Sequence, residues 1–214
     1  MQEFLYIISN FVGVLPLIFY LYRKEKIINE FKTLVPILIL NFFSSVYEVV
    51  FTYKLQIDSE YWFRLYLFLE YFSIAYLFWK LFEGTFYKRL ILIFSIVYVV
   101  FYILLLKSWE LHNNLQTDSY LTVYTTFFVY VLSILWFRKI FIKFEYDSLI
   151  HSPVFIVISG LLLYMSSTLF LFLMSDFLLK DIRYDFLDFW RLNIAMCIFF
   201  RLLLLTAVFK GYRR

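Results

Sequence analysis

The chain has 214 residues, of which 64% are hydrophobic and only 17% charged, with a net charge of +4 and a mean hydropathy of +0.80. Soluble domains run at roughly 45 to 50% apolar and about 25% charged, so a water-soluble fold is excluded: too few polar residues exist to cover the apolar ones. Four glycines and three prolines are too few for a collagenous or disordered chain, and a lone cysteine excludes a disulfide scaffold.

A helix that crosses a hydrocarbon core of about 30 Å needs about 20 mainly apolar residues. Seven segments qualify, at about 4–21, 34–53, 61–82, 90–106, 120–137, 153–178 and 186–209. Each is too long and too evenly apolar for the alternating strands of a membrane barrel. The expected fold is an all-α bundle of seven transmembrane helices forming one domain over residues 1–214. The first residues, Met1 to Phe4, lack the basic start of a secretory signal, and no small-residue cleavage site follows, so the first span is expected to remain.

The connections alternate in charge. One side carries Arg23, Lys24, Lys26, Lys32, Lys80, Lys88, Arg89, Arg138, Lys139, Lys143, Lys210, Arg213 and Arg214. The other has Lys54, Lys107, Lys180 and Arg183 beside Asp58, Glu60, Glu110, Asp118, Asp181, Asp185 and Asp188. By the positive-inside rule the amino terminus is outside and the carboxyl terminus cytoplasmic. The same rule accounts for the excess of basic residues, and no nucleic-acid partner is implied. Trp62, Trp109 and Trp190 near the outer edge and Trp79 and Trp136 near the inner one read as an interfacial belt. The 29 phenylalanines and 19 tyrosines are what an A- and T-rich coding sequence supplies without any need for ring stacking.

Polar groups inside the hydrocarbon are the informative minority, because a charge at the bilayer centre costs about 2.5 to 3.5 kcal/mol even on the lenient insertion scale. Asn41, Ser45, Glu48 and Thr52 of span two fall within about 60° of one another at 100° per residue, a narrow stripe that must face protein. Span three adds Arg64 and Glu70, with Tyr66 and Ser73 on the Glu70 face; span five offers Thr122 and Thr126, and span six Ser166 and Ser167. In span seven Asn193, Cys197 and Arg201 stack at i, i+4 and i+8, beside Arg191. At 1.5 Å per residue, Glu48, Arg64, Glu70, Arg191, Asn193, Thr126 and Ser166 all lie in the outer half.

The expectation is a polar chamber open to the outside, built from Asn41, Ser45, Glu48, Arg64, Tyr66, Glu70, Arg191, Asn193 and Arg201. Within it Glu48 or Glu70 is neutralised by Arg64, Arg191 or Arg201, and such a glutamate is a candidate proton-linked switch. The alternative is interhelical glue, at about 0.6 kcal/mol per polar contact. Asp188 stands at i−3 from Arg191, so a local surface pair is the competing reading there. His112 and His151 lie in opposite loops without partners for a metal, Cys197 is a packing residue, and no phosphate-binding glycine loop exists. No catalytic set, metal or cofactor is expected. Seven spans with an outside amino terminus suggest rhodopsins, but span seven has no interior lysine to hold retinal.

Spans one to three and five to seven show a parallel correspondence: Leu21-Tyr22-Arg23-Lys24 against Trp136-Phe137-Arg138-Lys139, Pro36 against Pro153, and Trp62-Phe63-Arg64-Leu65 against Phe189-Trp190-Arg191-Leu192. This 3+1+3 plan, with Pro16, Pro36 and Pro153 near comparable span ends, is similar to the SWEET sugar transporters, whose prolines serve as hinges; span five lacks one, and Glu70 sits badly in a sugar pathway. Phe63 to Phe72, Ser152-Pro153-Val154-Phe155 with Gly160, Tyr164 and Ser167, and Leu192-Asn193-Ile194 together resemble seven-span integral membrane proteins of Bacteroidota that carry no assigned activity. That resemblance spans nearly the whole chain, marks Glu70, Gly160, Tyr164 and Asn193 as shared features, and implies a bacterial cytoplasmic (inner) membrane. Arg201 departs from the asparagine of the pattern.

Three functions follow as expectations. The first is a receptor-like or signalling module that binds a small ligand or lipid in the outer chamber and acts through a separate cytoplasmic protein, since the inner loops are short. The second is a small-solute transporter, proton-coupled or SWEET-like, and the third a membrane-embedded lipid enzyme with the carboxylates as acid and base.

Overall fold

The computed structural model describes residues 2–22, 29–110, 115–143, 152–180 and 186–211; for 2–4, 29–30, 115, 143, 174–180 and 186–190 it describes the backbone alone. His112, His151, Arg23, Lys24, Lys26, Asp181, Arg183, Asp185, Arg213 and Arg214 lie outside the described residues, as do the side chains of Lys143, Lys180, Asp188 and Trp190.

Seven α-helices form an all-α bundle: α1 (Gln2–Tyr22), α2 (Val35–Tyr47), α3 (Glu60–Leu81), α4 (Thr85–Leu106), α5 (Leu115–Lys143), α6 (Pro153–Lys180) and α7 (Phe186–Lys210). A 3-10 helix (Asn29–Leu34) leads into α2, and a π-helical turn (Glu48–Lys54) continues it. Leu55 N–H bonds Val50 C=O at 3.1 Å, the i→i−5 pattern of that turn. Pro36 and Pro153 occupy first turns, where a missing N–H costs nothing. Ser152 caps α6 by accepting from Phe155 N–H at 3.3 Å. Pro16 alone lies inside a helix, where it withholds one bond from α1.

Six helical stretches are long and apolar enough to cross a membrane: Leu5–Tyr22, Phe31–Lys54, Thr85–Leu106, Gln116–Ile142, Pro153–Leu173 and Arg191–Lys210. This is a multi-pass α-helical membrane protein. The helix missing from that set is α3, because Glu60, Arg64, Glu70 and Lys80 dilute its apolar residues. Its place in the bundle explains the dilution. α3 packs against α2, α4 and α5 and buries Arg64, Leu67, Glu70, Tyr71, Ile74, Leu77 and Phe78, whereas only 11% of the most apolar span, on α4, is buried. A helix surrounded by protein can carry polar atoms that find partners; one facing acyl chains cannot.

α7 packs between α1 and α6, and α5 closes the ring between α6 and α3. Ring contacts fix the directions. Phe19 on Phe209 (5.1 Å between centroids) runs α1 parallel to α7, and Phe137 on Phe155 (5.6 Å) runs α5 antiparallel to α6. Many of the aromatic rings pack on one another in the structure. Tyr71 and Tyr98 stack at 3.9 Å in the fully buried seam of α3 and α4, where Tyr98 donates to Leu67 C=O (3.0 Å) and Tyr124 of α5 to Phe94 C=O (2.8 Å).

The basic end is shut. The 3-10 helix contacts α3 and α6 across it, with Phe31 and Leu34 at 0% exposure. Phe31 rests against Tyr20 and lies so near Gly211 that a Cβ there would stand 3.0 Å from its ring. Trp136, expected in the interfacial belt, is instead 3% exposed within the core, with α5 continuing past it to Lys143.

Gly160 seats α6 against α7: a Cβ there would stand 2.7 Å from Leu203 Cδ1 and 3.3 Å from Phe200 Cδ2. Gly160→Leu is expected to lower stability by about 1 to 3 kcal/mol through overpacking, seen as a fall in the unfolding midpoint in detergent. Leu163→Ala on the exposed face of the same helix should change it by less than about 0.5 kcal/mol.

Candidate functional site

Span one bears Tyr6, Ser9, Asn10 and Gly13 at i, i+3, i+4 and i+7, one polar stripe on an otherwise apolar helix. This stripe faces α2 and α7, and around it five helices leave a cavity of about 150 Å³. Ser9 and Asn10 of α1, Glu48 of the π turn, Tyr66 of α3, Tyr164 of α6 and Cys197 and Arg201 of α7 are among its walls. Tyr6, Glu48, Trp62 and Asn193 are partly exposed, whereas Ser9, Asn10 and Arg201 are buried. The mouth therefore lies at the end bearing the amino terminus of α1, with the floor toward the middle of the bundle.

Arg201 forms the floor. A helical side chain leans toward its own amino terminus, which lifts the guanidinium from the middle of α7 toward the cavity. Its Nη1 donates to Ser9 C=O (2.7 Å) and Ser9 Oγ (2.8 Å), and Nε to Asn41 Oδ1 (3.4 Å). Asn41 is itself oriented, donating to Ile37 C=O at 2.9 Å, and Ser45 donates to Asn41 C=O at 2.9 Å. Gly13 makes room: a Cβ there would collide with Ser45 Oγ and stand 3.0 Å from Arg201 Cζ. Among the described residues no carboxylate lies within 4.0 Å of this guanidinium, and no acceptor takes the two donors on Nη2. A 6%-exposed cation thus faces the cavity with, among the described residues, no carboxylate in direct contact with it.

The mouth holds the opposite charge. Glu48 accepts from the Tyr6 hydroxyl, which ties α1 to the π turn. Trp62 stacks on Tyr47 at 4.7 Å and its indole N–H reaches Ser44 Oγ at 3.5 Å, so this tryptophan shapes the mouth as well as any interface. Asn193 accepts from Thr168 at 3.4 Å, and Tyr164 stacks on Phe200 at 5.3 Å.

Of the residues singled out in the sequence, Glu48, Tyr66, Asn193 and Arg201 line this cavity, and Asn41 and Ser45 support its floor. Glu70 lies one turn behind Tyr66, which donates to its Oε1 at 3.1 Å. Thr52, the fourth member of the span-two stripe, is not among the lining residues, because the π turn changes the angular register beyond Glu48. Arg191 is partly exposed and also outside the lining, and the Asp188 side chain expected to pair with it lies outside the described residues.

Arg64 is the clearest departure. It bonds neither Glu48 nor Glu70 but Asp118, at 2.6 Å, with both side chains buried. Its guanidinium also lies 4.8 Å from the centre of the Tyr102 ring. Asp118, expected in an outer loop, is in the first turn of α5, since Leu115 to Ser119 already belongs to that helix. A sequence signal existed: Asp118, Thr122 and Thr126 recur at i, i+4 and i+8, and each threonine back-bonds to the carbonyl four residues earlier. The stripe at Tyr6, Ser9 and Asn10 carries the same signal; it and Asp118 each lie at the start of an otherwise apolar run, which obscures them.

Breaking the buried pair from one side strands a charge, at a cost of about 3 to 5 kcal/mol, whereas removing both partners is far milder. Arg64→Met and Asp118→Asn should each lower stability by that order, and the double variant by less than either single one, in a double-mutant cycle of unfolding in detergent. Against known proteins the chain matches no family model, no curated protein and no solved structure.

Proposed function

We propose that this membrane protein is a receptor-like ligand-binding module whose cavity accepts a small zwitterion, the anionic group on Arg201 and the cationic group on Glu48. The supporting observation is a guanidinium at the cavity floor that, among the described residues, touches no carboxylate, with Glu48 across the same cavity. A buried cation is costly unless an anion meets it, and the Ser9 and Asn41 dipoles leave its Nη2 donors to a ligand. A cavity of about 150 Å³ admits something the size of benzene, which suits a carboxylate or phosphate with a short aminoalkyl arm.

With the charge asymmetry of the loops, the mouth opens on the outer face and the shut, basic end faces the cytoplasm. A separate cytoplasmic protein is then the effector. Phe31, Leu34, Leu38 and Leu204, at 0% exposure between the cavity floor and the basic end, favour this reading over a continuous transport path. One observation favours transport instead: Pro16, three residues beyond Gly13 at the cavity floor, is a hinge candidate in α1.

Phosphoethanolamine is a suitable probe. It should raise the unfolding midpoint of the purified protein, and Arg201→Gln should weaken that binding at least tenfold, about 1.4 kcal/mol, with Glu48→Gln acting in the same direction. Counterflow of the probe by proteoliposomes containing the protein would end the receptor reading and establish the transporter.

A further inference from the structure

A second hollow lies on the outside of the cavity wall. Ile7, Phe11 and Val14 of α1 and Val46, Val49 and Tyr53 of α2 and the π turn enclose a groove of about 380 Å³ whose walls are apolar. It runs about 10 Å along α1, from Ile7 to Val14 at 1.5 Å per residue. On its own such a groove is ordinary bilayer contact, as is the one on α4 formed by Ile96, Val97, Val100 and Leu104, which has no charged residue in its lining. The α1–α2 groove differs because Tyr6 and Asn10 line both it and the cavity that holds Arg201.

We infer that the ligand comes from the bilayer: a single-chain amphiphile whose zwitterionic headgroup lies between Arg201 and Glu48 and whose acyl chain occupies the α1–α2 groove. The inference rests on the binding reading above and adds the ligand class and its route. Tyr6 and Asn10 stand between groove and cavity, and the hydrogen bond to Glu48 holds Tyr6 there. An arriving ammonium group takes over the Glu48 carboxylate as the tyrosine hydroxyl leaves it, so the carboxylate exchanges one partner for another. The π turn that carries Glu48 buries no residue. It can shift without unpacking a core, and π-helical insertions recur at functional sites for this reason.

The acyl chain adds little binding energy of its own, since moving it from bilayer to groove exchanges one apolar surrounding for another. Its effect is to concentrate the headgroup in the leaflet beside the partition. Affinity belongs to the charges and access to the groove, and these two contributions can be removed separately.

Cys197 lines the cavity and is the only cysteine in the chain, which makes it a native reporter. The experiment follows labelling of Cys197 by a small methanethiosulfonate reagent in the full-length protein in maltoside micelles, which carry no charge of their own. Lysophosphatidylethanolamine should slow labelling about tenfold. Val49→Trp and, separately, Val14→Trp fill the groove from positions at its lipid-facing wall, and each should abolish the protection by the lipid. Water-soluble phosphoethanolamine should protect wild type and both variants alike.

Protection by the lipid that either tryptophan abolishes, in a protein whose unfolding midpoint is retained, carries the inference whatever the soluble headgroup does. Lipid protection that survives both tryptophans overturns the groove route and leaves the cavity reading standing. Protection by phosphoethanolamine without protection by the lipid does the same. If neither compound protects Cys197, the inference and the binding reading fall together.

Discussion

A guanidinium held away from water in an apolar bundle must be solvated by the protein, and the Arg201 site shows what that requires. Ser9 supplies a carbonyl and a hydroxyl from α1, Asn41 an amide oxygen from α2, and Gly13 the space for the group to lie between them. Three helices are thereby fixed in register by one side chain. α1 and α7 run parallel, so the lean of Arg201 toward its own amino terminus brings it level with Ser9, about half a turn before the position that the Phe19–Phe209 contact sets opposite it. The cavity is what remains above that solvation shell. Its chemistry follows from the same requirement, since the dipoles that make the charge tolerable do not neutralise it.

The second half of the bundle meets the constraint differently. Arg64 and Asp118 neutralise each other in the seam between α3 and α5, and the hydroxyls of Tyr98, Tyr102 and Tyr124 donate to backbone carbonyls on neighbouring helices. The pair reads as structural because its charges are matched and Tyr102 covers one face, although Nε and Nη2 of Arg64 find no acceptor among the described residues. The contrast between a paired and an unpaired arginine separates framework from candidate site more sharply than depth or burial does, for both residues are buried to nearly the same degree. The same constraint puts polar α3 among three neighbouring helices and leaves apolar α4 at the rim.

The all-helical bundle was legible in the sequence because hydrocarbon leaves few alternatives: long apolar runs have to be helices, and turns have to lie between them. The inward stripe of Asn41, Ser45 and Glu48 was legible for the same reason, as was Arg201 on the side of α7 that carries Asn193 and Cys197. Pairing was not. Arg64 could reach several carboxylates at its depth, and the choice of Asp118 depends on α5 beginning at Leu115, which composition obscures by making the segment from Gln116 to Ser119 look like loop. The π turn was equally hidden, since a change from i→i−4 to i→i−5 bonding leaves the residue types untouched while moving Thr52 away from Glu48. Trp136 was misplaced by counting from the end of an apolar run when the helix itself continued to Lys143.

A ligand that displaces Tyr6 from Glu48 would release the amino-terminal end of α1 from the π turn while Ser9 still holds its middle to Arg201. Pro16 lies beyond that anchor and leaves α1 one backbone bond short. Past the proline, Phe19 packs on Phe209 and Tyr20 on Phe31 of the 3-10 helix that closes the basic end. A tilt of α1 about Ser9 would therefore be felt first at this plug, which itself touches α3 and α6. Such coupling needs a differential affinity of the ligand for the two positions of α1. The exchange at Glu48 provides it: with Tyr6 in place the carboxylate is occupied, and with Tyr6 withdrawn it is open to the ammonium. On the proposed reading, the helix beside which the ligand enters is the one whose other end packs on the 3-10 helix at the opposite end of the bundle.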